Sequence, residues 1–220
     1  MVKISWKISL LVVLFLSLNV QGQSIPYSPK GTFNITLGVP AKPNNFAFER
    51  TMEGLLNAGL DYRYNVYKGL TFGIGAKYAL FTLNSFAFNN LPISGSYQMP
   101  GGYLMAGYEK FTTDRISFTG SIRAGYSLMM SFNDSCQIKL GGPNIAESFF
   151  LEPQVEMTML ADLGSPHGFT MLFGYNLYFH EFGREDLCMN EVSGLLDENY
   201  VGITRYFSIG FGYRYFMGRN

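Results

Sequence analysis

The sequence predicts an all-β protein, an eight-stranded antiparallel up-and-down transmembrane β-barrel with short periplasmic turns and long extracellular loops. Three observations carry that prediction. Charged residues make up 15% of the 220-residue chain, against 16% aromatics and 25 glycines, whereas ordinary soluble domains are about 25% charged. Mean hydropathy is only +0.08, too low for a bundle of spanning helices that each need about 20 apolar residues in a row. Apolar and polar residues alternate with period two through eight segments, as in strands with one apolar face. A hydrophobic content of 47% excludes a disordered chain. With 16 basic and 16 acidic residues, no positive excess exists to neutralise phosphates, so no nucleic-acid partner is expected.

The first 22 residues read as an export signal. Lys3 and Lys7 form a positive n-region, Ile8 to Leu18 an apolar h-region, and Val20-Gln21-Gly22 a small-residue cleavage site. The expected domains are therefore a signal peptide at 1–22 and a single barrel domain at 23–220. No Cys follows the h-region before Cys136, which argues against a lipid anchor. Removing Lys3 and Lys7 leaves 14 basic and 16 acidic residues, a net charge of −2, and Trp6, the only tryptophan, leaves with them. The longest uncharged stretch downstream, Tyr78 to Tyr108, contains Pro92 and Pro100 and several Gly and Asn. It cannot be a spanning helix, so membrane entry requires strands.

The strands are expected at 31–40, 55–66, 70–82, 101–110, 115–130, 148–161, 168–180 and 200–216. Phe33 to Val39 is short but clean. In the second, Leu56, Ala58, Leu60, Tyr62, Tyr64 and Val66 share one face, opposed by Asn57, Gly59, Asp61, Arg63 and Asn65. In the third, Phe72, Ile74, Ala76, Tyr78 and Leu80 oppose Thr71, Gly73, Gly75 and Lys77. Tyr103 to Lys110 is the weakest, because Met105 falls on the polar face. Ile116 to Leu128, Phe149 to Met159, Phe169 to Phe179 and Val201 to Tyr215 alternate clearly. Pro153 interrupts the apolar face of the sixth and predicts a bulge. Arg205 falls on the apolar face of the eighth, near its external end, where a long side chain reaches headgroups.

Gap lengths alternate with these strands. The gaps after strands 1, 3, 5 and 7 hold about 14, 18, 17 and 19 residues, and those after strands 2, 4 and 6 about 3, 4 and 6. Outer-membrane barrels combine short periplasmic turns with long external loops in this way. Asp61-Tyr62-Arg63-Tyr64, Gly107-Tyr108-Glu109-Lys110-Phe111 and Gly212-Tyr213-Arg214-Tyr215-Phe216 each close a descending strand. Their outward tyrosines fall where an interfacial girdle belongs.

The signal segment, the eight strands and the closing stretch Ile209-Gly210-Phe211-Gly212-Tyr213-Arg214-Tyr215-Phe216 resemble the small outer-membrane β-barrel family related to OmpA and OmpX, in particular its Bacteroidetes-type members. The resemblance covers nearly the whole mature chain. It implies a bacterial outer-membrane location, outer-membrane lipids as surroundings, and passage through the barrel assembly machinery. Many such barrels end on an aromatic residue, whereas here Met217-Gly218-Arg219-Asn220 follows Phe216.

The inward set contains the acids Asp61, Glu109, Glu152 and Glu156 and the bases Arg63, Lys77, Arg123 and Arg214. Ionised groups in a lumen just wide enough for its own side chains are costly unless paired. The balance of four against four predicts a paired-charge plug rather than a pore; an ion-selective channel would favour one sign. The leading expectation is a structural or interaction role: envelope integrity, adhesion, or contact with an envelope protein or surface ligand through the external loops. The alternatives are a small-solute porin and a lipid A-modifying enzyme. No catalytic group, cofactor or metal site is expected: His180 and Glu181 are adjacent and point to opposite faces, Ser208 lies deeper, and His167 falls in a short turn. Cys136 and Cys188 fall in the third and fourth long loops, and an exported chain meets an oxidising compartment. A bridge is expected, closing some 50 residues for roughly 4 kcal/mol, with two separate thiols as the alternative. The fourth loop also gathers Glu181, Glu185, Asp186, Glu191, Asp197 and Glu198 against Arg184. That cluster is expected to be a solvated loop, with divalent-cation or basic-partner binding as the functional alternative.

Overall fold

Eight strands pair antiparallel in sequence order and the last closes on the first, so the sheet has no free edge. The computed structural model describes residues 29–41, 46–84, 94–183, 185–188 and 202–218. The expected signal segment lies outside the described residues, as do Arg184, Glu191, Asp197 and Glu198. The strands are β1 (Gly31–Ala41), β2 (Met52–Tyr67), β3 (Leu70–Leu83), β4 (Gly95–Phe111), β5 (Ile116–Asn133), β6 (Asn144–Leu160), β7 (His167–Phe182) and β8 (Gly202–Met217). Among the described residues, two short helices interrupt the longer connections, α1 (Phe46–Thr51) before β2 and α2 (Asp134–Leu140) before β6, and one 3₁₀ turn (Glu185–Leu187) follows β7. No described helix is long and apolar enough to cross a membrane.

The short connections cluster at one end of the barrel and the long ones at the other. At the short-turn end, β2 passes to β3 through Lys68-Gly69, both at positive φ (42° and 94°), the two-residue geometry that matches strand twist. Glycine is required at position 69, because a Cβ there would sit 2.2 Å from the Glu109 carbonyl oxygen. At the long-loop end the strands outrun the sequence expectation. β4 begins at Gly95 rather than 101, β5 runs to Asn133, and β6 begins at Asn144. The physical reason is an inner face that turns apolar at this end. Tyr97 and Met99 point inward and are buried, so polar-in alternation fails just where β4 starts.

The bulge expected at Pro153 does not form. Pro153 stays in register opposite Ile122, and the β6–β7 ladder resumes at Gln154–Gly174 in the register of Leu151–Leu177. The ring removes a donor without adding a residue, so rungs are lost and phase is kept. Register shifts fall instead within β2–β3, at Gly54/Leu56 and Asn65/Tyr67, and within β7–β8 at Tyr178/Glu181.

Outward positions carry exposed Ile, Leu, Val and Phe over much of the wall, among them Leu37, Ile74, Leu104, Ile122, Val155, Met171, Ile209 and Phe211. Tyr62, Tyr64, Tyr108, Tyr213 and Tyr215 stand exposed toward the short-turn end. Inward positions in the short-turn half are mostly polar, with Met105, Leu160, Leu172 and Phe216 as buried apolar exceptions. In the long-loop half they form an apolar core of Phe48, Met52, Phe81, Tyr97, Met99, Met129, Phe150, Tyr178, Phe182, Leu187 and Tyr206. Met105 and Tyr103 also turn inward and are buried.

Candidate functional site

Strand period alone places the lumen charges, since residues two apart share a face. All eight residues named from the sequence are buried inside the barrel, and they form one connected network. Arg63 is its hub. Its Nη1 and Nη2 donate to Glu156 at 2.7 and 2.6 Å, and its Nε donates to Asp61 at 2.5 Å. Arg214 donates to Glu109 at 3.0 Å and also to Glu156, while Ser117 donates to Glu109 at 2.9 Å. Above Asp61, Arg123 donates to it at 3.0 Å and lies 3.6 Å from Glu152. Lys77 donates to Glu152 at 2.7 Å and to Asn176, whose amide donates in turn to Ser208 at 3.2 Å.

Aromatic rings complete the packing around these cations. The Tyr103 hydroxyl donates to Asp61 at 3.2 Å while its ring lies 4.8 Å under the Arg123 guanidinium. Gly75 makes room for that ring: a Cβ there would come 2.5 Å from Tyr103 Cζ. Lys77 stands 4.7 Å from the Phe150 ring and 5.5 Å from that of Tyr178. These two rings begin the apolar layer, so the paired-charge plug expected from sequence fills only part of the lumen.

The apolar layer is closed by Phe48, carried by α1 and fully buried. Its ring makes edge contacts with Phe81 (4.8 Å), Phe182 (4.9 Å) and Tyr97 (5.8 Å). Sequence reasoning missed Phe48 because it stands in a stretch without strand period. The polar roles of Asn176, Ser208 and Tyr103 depend on neighbours that only the closed sheet supplies.

Across the long-loop end, Cys136 of α2 and Cys188 form a disulfide spanning 52 residues. Asn144 donates to the Glu185 carbonyl at 2.8 Å, and Asn133 to the Leu187 carbonyl at 3.3 Å. Asp186 departs from a solvated loop. It is buried, accepts from Gly183 N at 2.7 Å, and pairs with His180 Nε2 at 2.7 Å. His180 lies past Tyr178, the last β7 residue paired with β6, and its hydrogen bond to Asp186 raises the imidazole pKa above the ordinary value. Glu181 and Glu185 are exposed. Ser208 pairs with Gly174, six residues below His180 along β7, so these two are not brought together. His167 opens β7 on the outer rim, its Nδ1 against the Tyr213 hydroxyl. Arg205 lies half-buried opposite Leu177. Among the described residues, no group of three His, Cys, Asp or Glu is arranged to hold a metal ion.

No protein-family model and no curated protein matches the chain. Solved structures do. Neisserial surface protein A aligns with a TM-score of 0.50 at 14% identity, covering 85% of this chain and 96% of that one. The outer membrane protein OprG from Pseudomonas aeruginosa aligns with a TM-score of 0.45 at 12% identity, covering 87% and 99%. Ail, the attachment invasion locus protein of Yersinia pestis, aligns with a TM-score of 0.42 at 13% identity, covering 86% and 100%. At such identities the likeness is one of fold: the chain is a closed eight-stranded antiparallel barrel that matches outer-membrane barrel structures.

Proposed function

We propose that the chain is an integral bacterial outer-membrane barrel with a structural or interaction role, exported by a signal peptide cleaved after Gly22 and assembled by the barrel assembly machinery. The short turns face the periplasm, and the long loops with their disulfide face the cell exterior. The kinship with Bacteroidetes-type members belongs to this reading and rests on the closing Gly/Tyr-rich strand. One observation carries the proposal. A closed sheet exposes large apolar side chains around much of its outer wall and buries eight ionisable ones inside, the reverse of a soluble protein, whose exposed apolar patches rarely exceed a few hundred Å². Strands of 14 to 18 residues in β2 to β8 exceed the 9–11 needed to cross a bilayer, which supports loops that stand clear of it.

The proposed lumen is closed, with paired charges below and aromatic packing above, so the role belongs to the loops and not to solute passage. The Asp186 contacts support a structural part for the base of the fourth loop, and neither catalysis nor a cofactor is invoked. The test is fractionation with gel mobility. Expressed with residues 1–22 in a Gram-negative host, the protein should lose that segment, sediment with outer membranes, and migrate faster unboiled than boiled. Recovery in the soluble periplasm without heat-modifiability would overturn the proposal.

A further inference from the structure

We propose that α2 is an interfacial anchor, seated in the headgroup layer of the membrane with Ile138 toward lipid; this rests on the outer-membrane reading above. Cys136 is fully buried and tied to Cys188 over the lumen. Two residues further along a helix is a rotation of about 200°, so Ile138 points away from the barrel axis, and it is 85% exposed. The helix is held in that orientation from both ends. Asn133 Oδ1 accepts from Cys136 N at 2.8 Å, and Gly141, at φ 73°, donates to the Gln137 carbonyl.

The outer wall where β5 ends and β6 begins decides the occupant. Phe132 ends the outward face of β5 and Ile145 begins that of β6; both are exposed, and Ile145 pairs with Met130. From Phe118 through Ile122, Ala124, Tyr126 and Leu128 to Phe132, the outward face of β5 carries no charge. Along β5 the patch is therefore continuous with the apolar wall, while on β6 the exposed Glu147 stands between Ile145 and Phe149. Those fifteen residues rise about 34 Å at 3.4 Å each and a tilt of about 45°, taller than a belt of about 25 Å. Glu147, which accepts from the Tyr126 hydroxyl, marks the polar boundary one inward–outward repeat below Ile145. Ile138 and its neighbours thus fall in the zone where interfacial helices bury their apolar face.

The test places an environment-sensitive fluorophore on Ile138→Cys after the native disulfide has closed, in protein folded into phosphatidylcholine vesicles. Ile74→Cys serves as the mid-wall control and Leu163→Cys as the aqueous one, and every variant must first show heat-modifiability. The expected result is quenching at Ile138→Cys by nitroxide on the proximal acyl carbons comparable to that at Ile74→Cys, with iodide quenching several-fold weaker than at Leu163→Cys. Iodide quenching equal to the aqueous control overturns the anchor. So does shielding from iodide without lipid quenching, which would mean a protein, such as a second copy, covers the patch. If Ile74→Cys also escapes the lipid quencher, the membrane reading itself fails.

Discussion

Glu156 accepts from two arginines, Arg63 and Arg214, and all three side chains are buried. Its removal leaves two buried guanidinium groups facing one fewer acid, and breaking a buried pair from one side costs about 3–5 kcal/mol. Glu156→Ala should therefore lower barrel stability by that order, read as the urea midpoint of the mobility shift in vesicles. Adding Arg214→Ala should recover part of the loss, because residues in one network couple. An unchanged midpoint in Glu156→Ala would mean that the carboxylate is hydrated rather than sealed. Position within the period placed Glu156 on the inner face, but not its choice of partners. Arg63 and Glu156 are 93 residues apart, and nothing local to either encodes the pairing. Met105 shows the converse: the inner wall accepts apolar residues, so a residue that looked like an error of alternation is a packed one.

At the scale of elements, the strands were legible and the small helices were not. A strand repeats its signal every two residues, whereas α2 has seven residues and leaves only Asn133 at its start and Gly141 after its end as cap signals. Alternation also faded at the top of β4, where Tyr97 and Met99 replace polar residues on the inner face. An isolated helix of this length does not hold together in water, so α2 depends on Cys136. Serine at both Cys136 and Cys188 should cost up to about 4 kcal/mol by the loop-entropy estimate. The loss should be uneven. Hydrogen exchange should show the α2 amides losing protection while the β5 and β6 ladder amides keep theirs, since the strand pairings do not involve the bridge. Equal loss in helix and ladder would show the disulfide to be part of the barrel's own closure.

For the whole molecule, composition and gap parity pointed to a closed barrel because closure is a global constraint written into every strand, while the contents of the lumen are settled by cross-barrel neighbours. Two materials fill it in series: ion pairs from Glu109 up to Lys77, then rings from Phe150 up to Phe48. Either layer alone obstructs an eight-stranded lumen, which is just wide enough for side chains. Deleting the uppermost ring therefore should not open a path. Phe48→Ala removes edge contacts to Phe81, Phe182 and Tyr97, and a buried Phe→Ala change costs about 3–5 kcal/mol. The barrel should become less stable yet remain silent in a planar bilayer, because the Arg63, Arg123 and Lys77 pairs below are untouched. Steady openings from Phe48→Ala would show that the aromatic layer is the only seal and that the charged layer is wet enough to conduct. Openings from the unaltered protein would refute both layers at once and restore the porin alternative, since solutes would then pass a lumen whose wall carries four charges of each sign.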